Sequence, residues 1–125
     1  MLRALAKLLR PGGRIAFTTI HVPPDLTPAA KRRAHHAGPR AVASRSSQAQ
    51  LLEAAGFTEI DERDVTGAFI GAQRAWLEER ARHLDELAAL EAPGAFAQRQ
   101  DDHRAQLAAT EAGLLRRAIL SAVRR

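Results

Sequence analysis

"LLRPGGRIAFTTI", residues 8–20, joins the end of an amphipathic segment to a short apolar run through Pro11-Gly12-Gly13. Leu2, Leu5, Leu8 and Leu9 recur at helical spacing, with Arg3, Lys7 and Arg10 off the stripe, so the chain before Pro11 reads as a helix. Pro11 cannot donate to a helix ladder, and the two glycines permit the positive φ angles that a reversal needs. Residues 14–20 are almost continuously apolar or β-branched, the pattern of a strand covered on both faces.

The same grammar of helix, glycine and strand returns at "SSQAQLLEAAGFTEIDERDVT", residues 46–66. Ser47 can cap a helix whose Leu51, Leu52 and Ala55 face inward, and Gly56 suits its left-handed terminus. A strand is expected from Phe57 to Val65, with Phe57 and Ile60 in the core and Asp61, Glu62, Arg63 and Asp64 at its wetter end. Two such units in series indicate an α/β domain rather than a helical bundle.

Between the units lies "HVPPDLTPAAKRRAHHAGPRAVASRSS", so residues 21–46 read as a long loop or lid. It holds a short helix at 27–36, with Thr27 as cap and Pro28 in the first turn. Compact domains rarely spend so long a connection merely on joining elements. Residues 67–112 form a helical region. One long helix runs from about Gly67 to Leu90, with Ile70, Trp76, Leu77, Leu84, Leu87 and Leu90 on one side, and a more polar helix spans 95–112. In the closing "LLRRAILSAVRR", Ile119, Ser121 and Val123 alternate with Leu120 and Ala122, which fits a short buried strand.

Composition bounds the function. The 125 residues are 46% hydrophobic and 26% charged, which indicates a single globular domain, 1–125, and excludes the disordered classes. The absence of cysteine removes disulfides, thiolate catalysis and the usual zinc sites, and makes a cytoplasmic, bacterial-type protein the expectation. No apolar run approaches the roughly 20 residues that span a bilayer. The net charge of +5 invites nucleic acid, and Lys31, Arg32, Arg33 and Arg40 make the densest basic stretch. That stretch has no interleaved aromatics for stacking on bases, so a solvated basic surface is the favoured reading and nucleic acid the disfavoured one.

The run "LRALAKLLRPGGRIAFTTI", then "LLEAAGFTEIDERDVT", then a long helix with "AWLEER" and the terminal "GLLRRAILSAVRR", resembles the C-terminal half of class I S-adenosylmethionine-dependent methyltransferases, of the bacterial small-molecule type. In that family a Leu-Lys/Arg-Pro-Gly-Gly phrase leads into the fifth strand and Ala-Gly-Phe into the sixth. The resemblance implies a partial Rossmann-like sheet of strands five, seven and six with flanking helices. It also implies methyl transfer from S-adenosylmethionine to an acceptor, a small molecule by expectation. The family holds its cofactor on a glycine-rich turn and an acidic residue earlier in the fold. Neither has a counterpart here, so no cofactor-binding residue carries over, and the chain is expected to be truncated, inactive alone and at best a weak binder of cofactor. By the same resemblance, the loop after the fifth strand borders the substrate pocket, with Thr19, His21 and Asp25 as candidates, and Arg74 and Trp76 as residues lining a lid. The fifth strand, lacking its usual neighbour, presents an apolar edge that is expected to form a homodimer or to dock on a separately encoded cofactor-binding half.

Each candidate has a plainer rival. His21 also reads as a solvated loop histidine, and Trp76 as core. Adjacent His35 and His36 diverge on a helix and do not suit a metal. Asp101-Asp102-His103 could hold a cation, but acids early in a helix are already favoured by its dipole. No catalytic residue is assigned. The sulfonium carbon is electrophilic by itself, so positioning and desolvation suffice for methyl transfer. The alternative is a noncatalytic interaction module that uses the basic loop on nucleic acid or an acidic partner.

Overall fold

The computed structural model describes residues 1–39 and 46–125, so Arg40 of the basic stretch lies outside the described residues. The elements in chain order are α1 (Leu2–Leu8), β1 (Arg14–His21), α2 (Pro28–Ala37), α3 (Gln48–Ala54), β2 (Phe57–Asp64), α4 (Thr66–Arg82), α5 (Leu84–Leu90), α6 (Ala95–Glu111) and β3 (Arg116–Arg124). The strands form one sheet in the order β1-β3-β2, with β3 antiparallel to both neighbours. This is the order five, seven, six expected of the sheet.

Local chemistry sets the boundaries. Past α1, Gly12 turns the chain at φ +77, its N–H donating to the Arg124 carbonyl at 2.9 Å, while the Arg124 N–H donates to the Gly13 carbonyl at 2.8 Å. The Pro-Gly-Gly turn is thereby clamped to the far end of β3. A Cβ on Gly13 would sit 2.8 Å from the Arg10 carbonyl oxygen. Gly13→Ala is therefore expected to cost about 1–3 kcal/mol, the usual penalty of an overpacked site, read as a lower urea midpoint at unchanged slope. Ser47 and Gln50 close a reciprocal capping box on α3, and Gly56 follows that helix at φ +91. Thr27 caps α2 by accepting from the Ala30 N–H at 3.2 Å, with Pro28 opening the helix. In β2 a bulge between Thr58 and Asp61 places Glu59 at φ +49 and lets Ile60 pack inward.

One face of the sheet carries the main core. Phe57, Leu52, Ala118, Leu120, Ala122 and Ala6 are buried together, with Leu2, Leu9, Ile15, Phe17 and Ile60 packed against them. A second cluster of Ala34, Ala109 and Leu115 joins α2, α6 and the approach to β3, with Ile20, Val22 and Leu26 at its margin.

Three expectations are corrected. The inward line of α1 is Leu2, Ala6 and Leu9, while Leu8 is exposed, because the four-leucine stripe is broader than the face the sheet can cover. β1 is not covered on both faces: Ile15 and Phe17 are half-buried by the core, but Ala16 and Thr18 are exposed on the other side. The long helix is two, α4 and α5, divided at His83, whose φ of −105° and ψ of 27° leave the helical region. Leu84 and Leu90 remain exposed, and the buried residue of α4 is Gln73 rather than a leucine of the stripe.

Candidate functional site

The open face of the sheet is not bare along its whole length. Where β1 and β2 end and β3 begins, α4 and α6 stand beside it and border an open cavity of about 540 Å³. Ile20, Arg117 and Ile119 form its sheet side, Phe69, Gln73 and Trp76 come from α4, and His103 and Gln106 from α6. The positions on α4 are four and three residues apart, which puts them on one face of the helix.

The start of α4 is tied to the sheet. The Val65 N–H donates to the Arg117 carbonyl at 2.8 Å, and the Arg117 N–H donates to Thr66 Oγ1 at 3.0 Å. Asp64 Oδ1 accepts from the Thr66 N–H at 2.8 Å. That backbone bond, then the Thr66 hydroxyl, and further off Arg116 and His21, hold the Asp64 carboxyl below the ordinary carboxylate range against a smaller opposing effect of burial.

Three polar groups give the cavity its character. Arg117 lies over the Phe69 ring at 4.4 Å and donates through Nη2 to Thr18 Oγ1 at 2.9 Å. Among the described residues it has no ion pair. Gln73 is only 7% exposed; its Nε2 donates to Gln106 Oε1 at 3.0 Å, and its Oε1 is buried with no partner among the described residues. The His103 ring packs on Trp76 with centroids 4.1 Å apart. Burial, and then the nearby Arg80 and Arg99 charges, push the His103 pKa below its ordinary 6.5, with Asp102 opposing.

The sign of the resulting pH effect follows from proton binding. Below about pH 6.5 the unfolded chain takes up a proton at His103 more readily than the folded one. Stability is therefore expected to fall as pH drops from about 6.5 through the lower folded pKa. His103→Gln should flatten that part of a urea-midpoint profile, and an unchanged slope would show that His103 titrates normally.

Of the sequence candidates, Trp76 lines the cavity, stacked and 40% exposed rather than buried as core. Thr19 shares the strand face of Ile15 and Phe17, opposite the side on which Thr18 meets Arg117. Its hydroxyl donates to the Ile20 carbonyl at 3.4 Å. His21 is half-buried at the end of β1, opposite Arg116, with Nδ1 buried and without a partner among the described residues. Asp25 is exposed in the turn that follows. Arg74 points outward, pairing with Glu111 of α6 at 2.9 Å. Asp101, Asp102 and His103 diverge, to Arg104, Gln98 and Trp76 respectively. Sequence reasoning passed over Phe69, Gln73 and Arg117 as pocket residues and weighed His103 only as a cation ligand. The signal was the spacing Phe69–Gln73–Trp76, one helix face with an amide at its centre.

A second concavity of about 460 Å³ lies between α1 and the end of α3, where Arg3, Lys7, Arg124 and Arg125 gather. No helix among the described residues is long and apolar enough to cross a membrane.

This sheet order, with helices on the core face and a helical segment between β2 and β3, is a fold shared with part of solved structures that include S-adenosylmethionine-dependent methyltransferases. The phosphoethanolamine N-methyltransferase 2 of Haemonchus contortus, in complex with phosphomonomethylethanolamine and S-adenosylhomocysteine, superposes with a TM-score of 0.75 at 16% identity, over 98% of this chain and 29% of that one. A Galdieria sulphuraria protein described as a sarcosine dimethylglycine methyltransferase gives 0.74 at 13%, over 98% and 45%. The [4+2]-cyclase SpnF gives 0.63 at 24%, over 98% and 42%. The chain thus spans between 29% and 45% of the length of these structures. No protein-family model matches it, and no curated protein matches it in sequence.

Proposed function

We propose that the chain supplies the acceptor side of an S-adenosylmethionine-dependent methyl transfer to a small molecule. The observation that carries this reading is the sheet order β1-β3-β2 with an open cavity at the ends of β1 and β2. In open α/β sheets, ligands bind at the carboxyl ends of the strands.

The residues of this cavity do not fit the cofactor itself. Among the described residues no carboxylate lines it to hold ribose hydroxyls, and its cation, Arg117, would repel a sulfonium. Asp64, the acid at the end of β2, is spent on the Thr66 N–H. The cofactor therefore belongs to a partner region along the outer edge of β1, the edge that does not face β3. An unpaired strand edge is a template for further pairing, which supports this placement. Fold alone does not set the reaction, since one structural neighbour is a cyclase.

The test is isothermal titration of the 125-residue chain with S-adenosylmethionine and with S-adenosylhomocysteine. No binding tighter than about 100 μM is expected, which is about −5.5 kcal/mol. Tighter binding would put the cofactor site within these residues and overturn the reading. Sedimentation at tens of micromolar then tells whether the β1 edge pairs with a second copy instead.

A second reading rests on a different observation. Lys31, Arg32 and Arg33 are exposed on α2, and four more basic residues line the concavity by α1. Steeply salt-dependent binding to RNA or DNA would favour an interaction module over an enzyme part.

A further inference from the structure

We propose that the cavity between α4, α6 and the sheet is a binding site for a small planar monocarboxylate that carries a hydrogen-bond donor at its far end, of the class of hydroxyaryl acids. The inference stands on the cavity alone and does not need the methyl-transfer reading.

The donor is called for by Gln73. The residue is more than nine-tenths buried and lines the cavity, with Nε2 donating to Gln106 Oε1. Its Oε1 has no donor among the described residues. A buried acceptor left bare carries its full desolvation cost, so a ligand hydroxyl that reaches it regains that energy.

The carboxylate is called for by Arg117. Its guanidinium is held by Phe69 beneath it and by Thr18 at one nitrogen, so it is pre-positioned, and no acid among the described residues neutralises it. Charge-assisted bonds to a fixed arginine favour a carboxylate over a neutral group. His103, the other titratable group that lines the cavity, is disfavoured as a cation by burial. One positive charge suits a monoanion better than a phosphate dianion, and the lack of a lining acid leaves an ammonium without a partner.

Planarity follows from the walls. Phe69 and Trp76 line the cavity with aromatic surface and Ile20 and Ile119 with apolar bulk, and about 540 Å³ is within the range of small-molecule sites.

Trp76 is the only tryptophan and the chain has no tyrosine, so intrinsic emission reports on this cavity directly. The experiment titrates the 125-residue chain with 4-hydroxyphenylacetate, phenylacetate, methyl 4-hydroxyphenylacetate and tyramine, exciting tryptophan alone. The hydroxy acid is expected to bind at least about tenfold more tightly than the ester or the amine, and several-fold more tightly than phenylacetate. Arg117→Gln should abolish the preference for acid over ester, while Gln73→Leu should abolish the preference for the hydroxylated acid. Circular dichroism melts establish that each variant is folded. Should either fail to fold, chemical-shift changes at the Gln73 side-chain amide of the unaltered protein replace it as the readout. Equal binding of acid, ester and amine, or no change in Trp76 emission up to about 5 mM acid, corresponding to weaker than about −3 kcal/mol, would overturn the proposal.

Discussion

Arg80→Ala is expected to lower the stability of the chain by about 3 kcal/mol, the low end of the cost of breaking a buried ion pair from one side. The Arg80 guanidinium lies 4.9 Å from the Trp76 ring centre and 4.8 Å from that of Phe96. It donates to Gln100 Oε1 at 3.1 Å and to both Glu91 oxygens at 2.9 and 3.2 Å. Both charged side chains are nearly buried, at 11% and 12% exposed. Removing the arginine strands Glu91 with only Arg99, 3.8 Å away and exposed, which places the cost at the low end rather than the high one. Arg80→Lys should recover less than half, because one ammonium cannot replace a planar guanidinium that reaches Glu91 through Nη2 and Gln100 through Nε while lying near two rings. Arg80→Met with Glu91→Met should cost much less than Arg80→Ala alone, since no buried charge is left unpaired. Urea denaturation followed by circular dichroism separates these outcomes. The same arginine also bears on the cavity: without its charge the His103 pKa should rise, visible as a shifted imidazole titration in NMR.

The grammar of helix, glycine and strand was legible because single residues carry it. Pro11-Gly12-Gly13, Ser47 with Gln50, Gly56 and Thr27-Pro28 each act through their own backbone geometry or one local hydrogen bond, so sequence suffices to place them. The alternation in β3 likewise showed which residues share a face, and Ala118, Leu120 and Ala122 are buried as one. What sequence did not show is which faces are covered. Apolar residues on β1 and α4 stay accessible, and Gln73 is buried, because coverage depends on which distant helix lies above a position. The cavity was illegible for the same reason. Arg117 and Thr18 meet across 99 positions of sequence, and Gln73 and Gln106 across 33, so no local pattern could join them. Trp76 was named as a pocket residue through the resemblance, whereas Phe69 and Gln73, on the same helix face, were within reach of its spacing alone.

Phe57→Ala is expected to cost about 3–5 kcal/mol, the range for deleting a fully buried ring. Phe57 opens β2 opposite Arg124 and is 0% exposed, packed with Leu52, Leu120 and Ala122 under α3. Against a total stability of about 5–15 kcal/mol for an ordinary domain, that loss leaves a substantial fraction of the chain unfolded at moderate urea. The telling comparison is Ile119→Ala. Ile119 sits on the neighbouring strand but on the opposite face, 41% exposed, and should cost under about 1 kcal/mol. The contrast tests whether the sheet draws its stability from one face, where Phe57, Leu120 and Ala122 are buried, leaving the other free for a ligand. Urea midpoints of both variants, measured at two protein concentrations, decide the matter. A large, concentration-dependent cost for Ile119→Ala would mean that a second copy covers the open face in solution. A small, concentration-independent one means that residues of the cavity floor can be exchanged without unfolding the sheet, so that losses of binding in such variants report on the site and not on the fold.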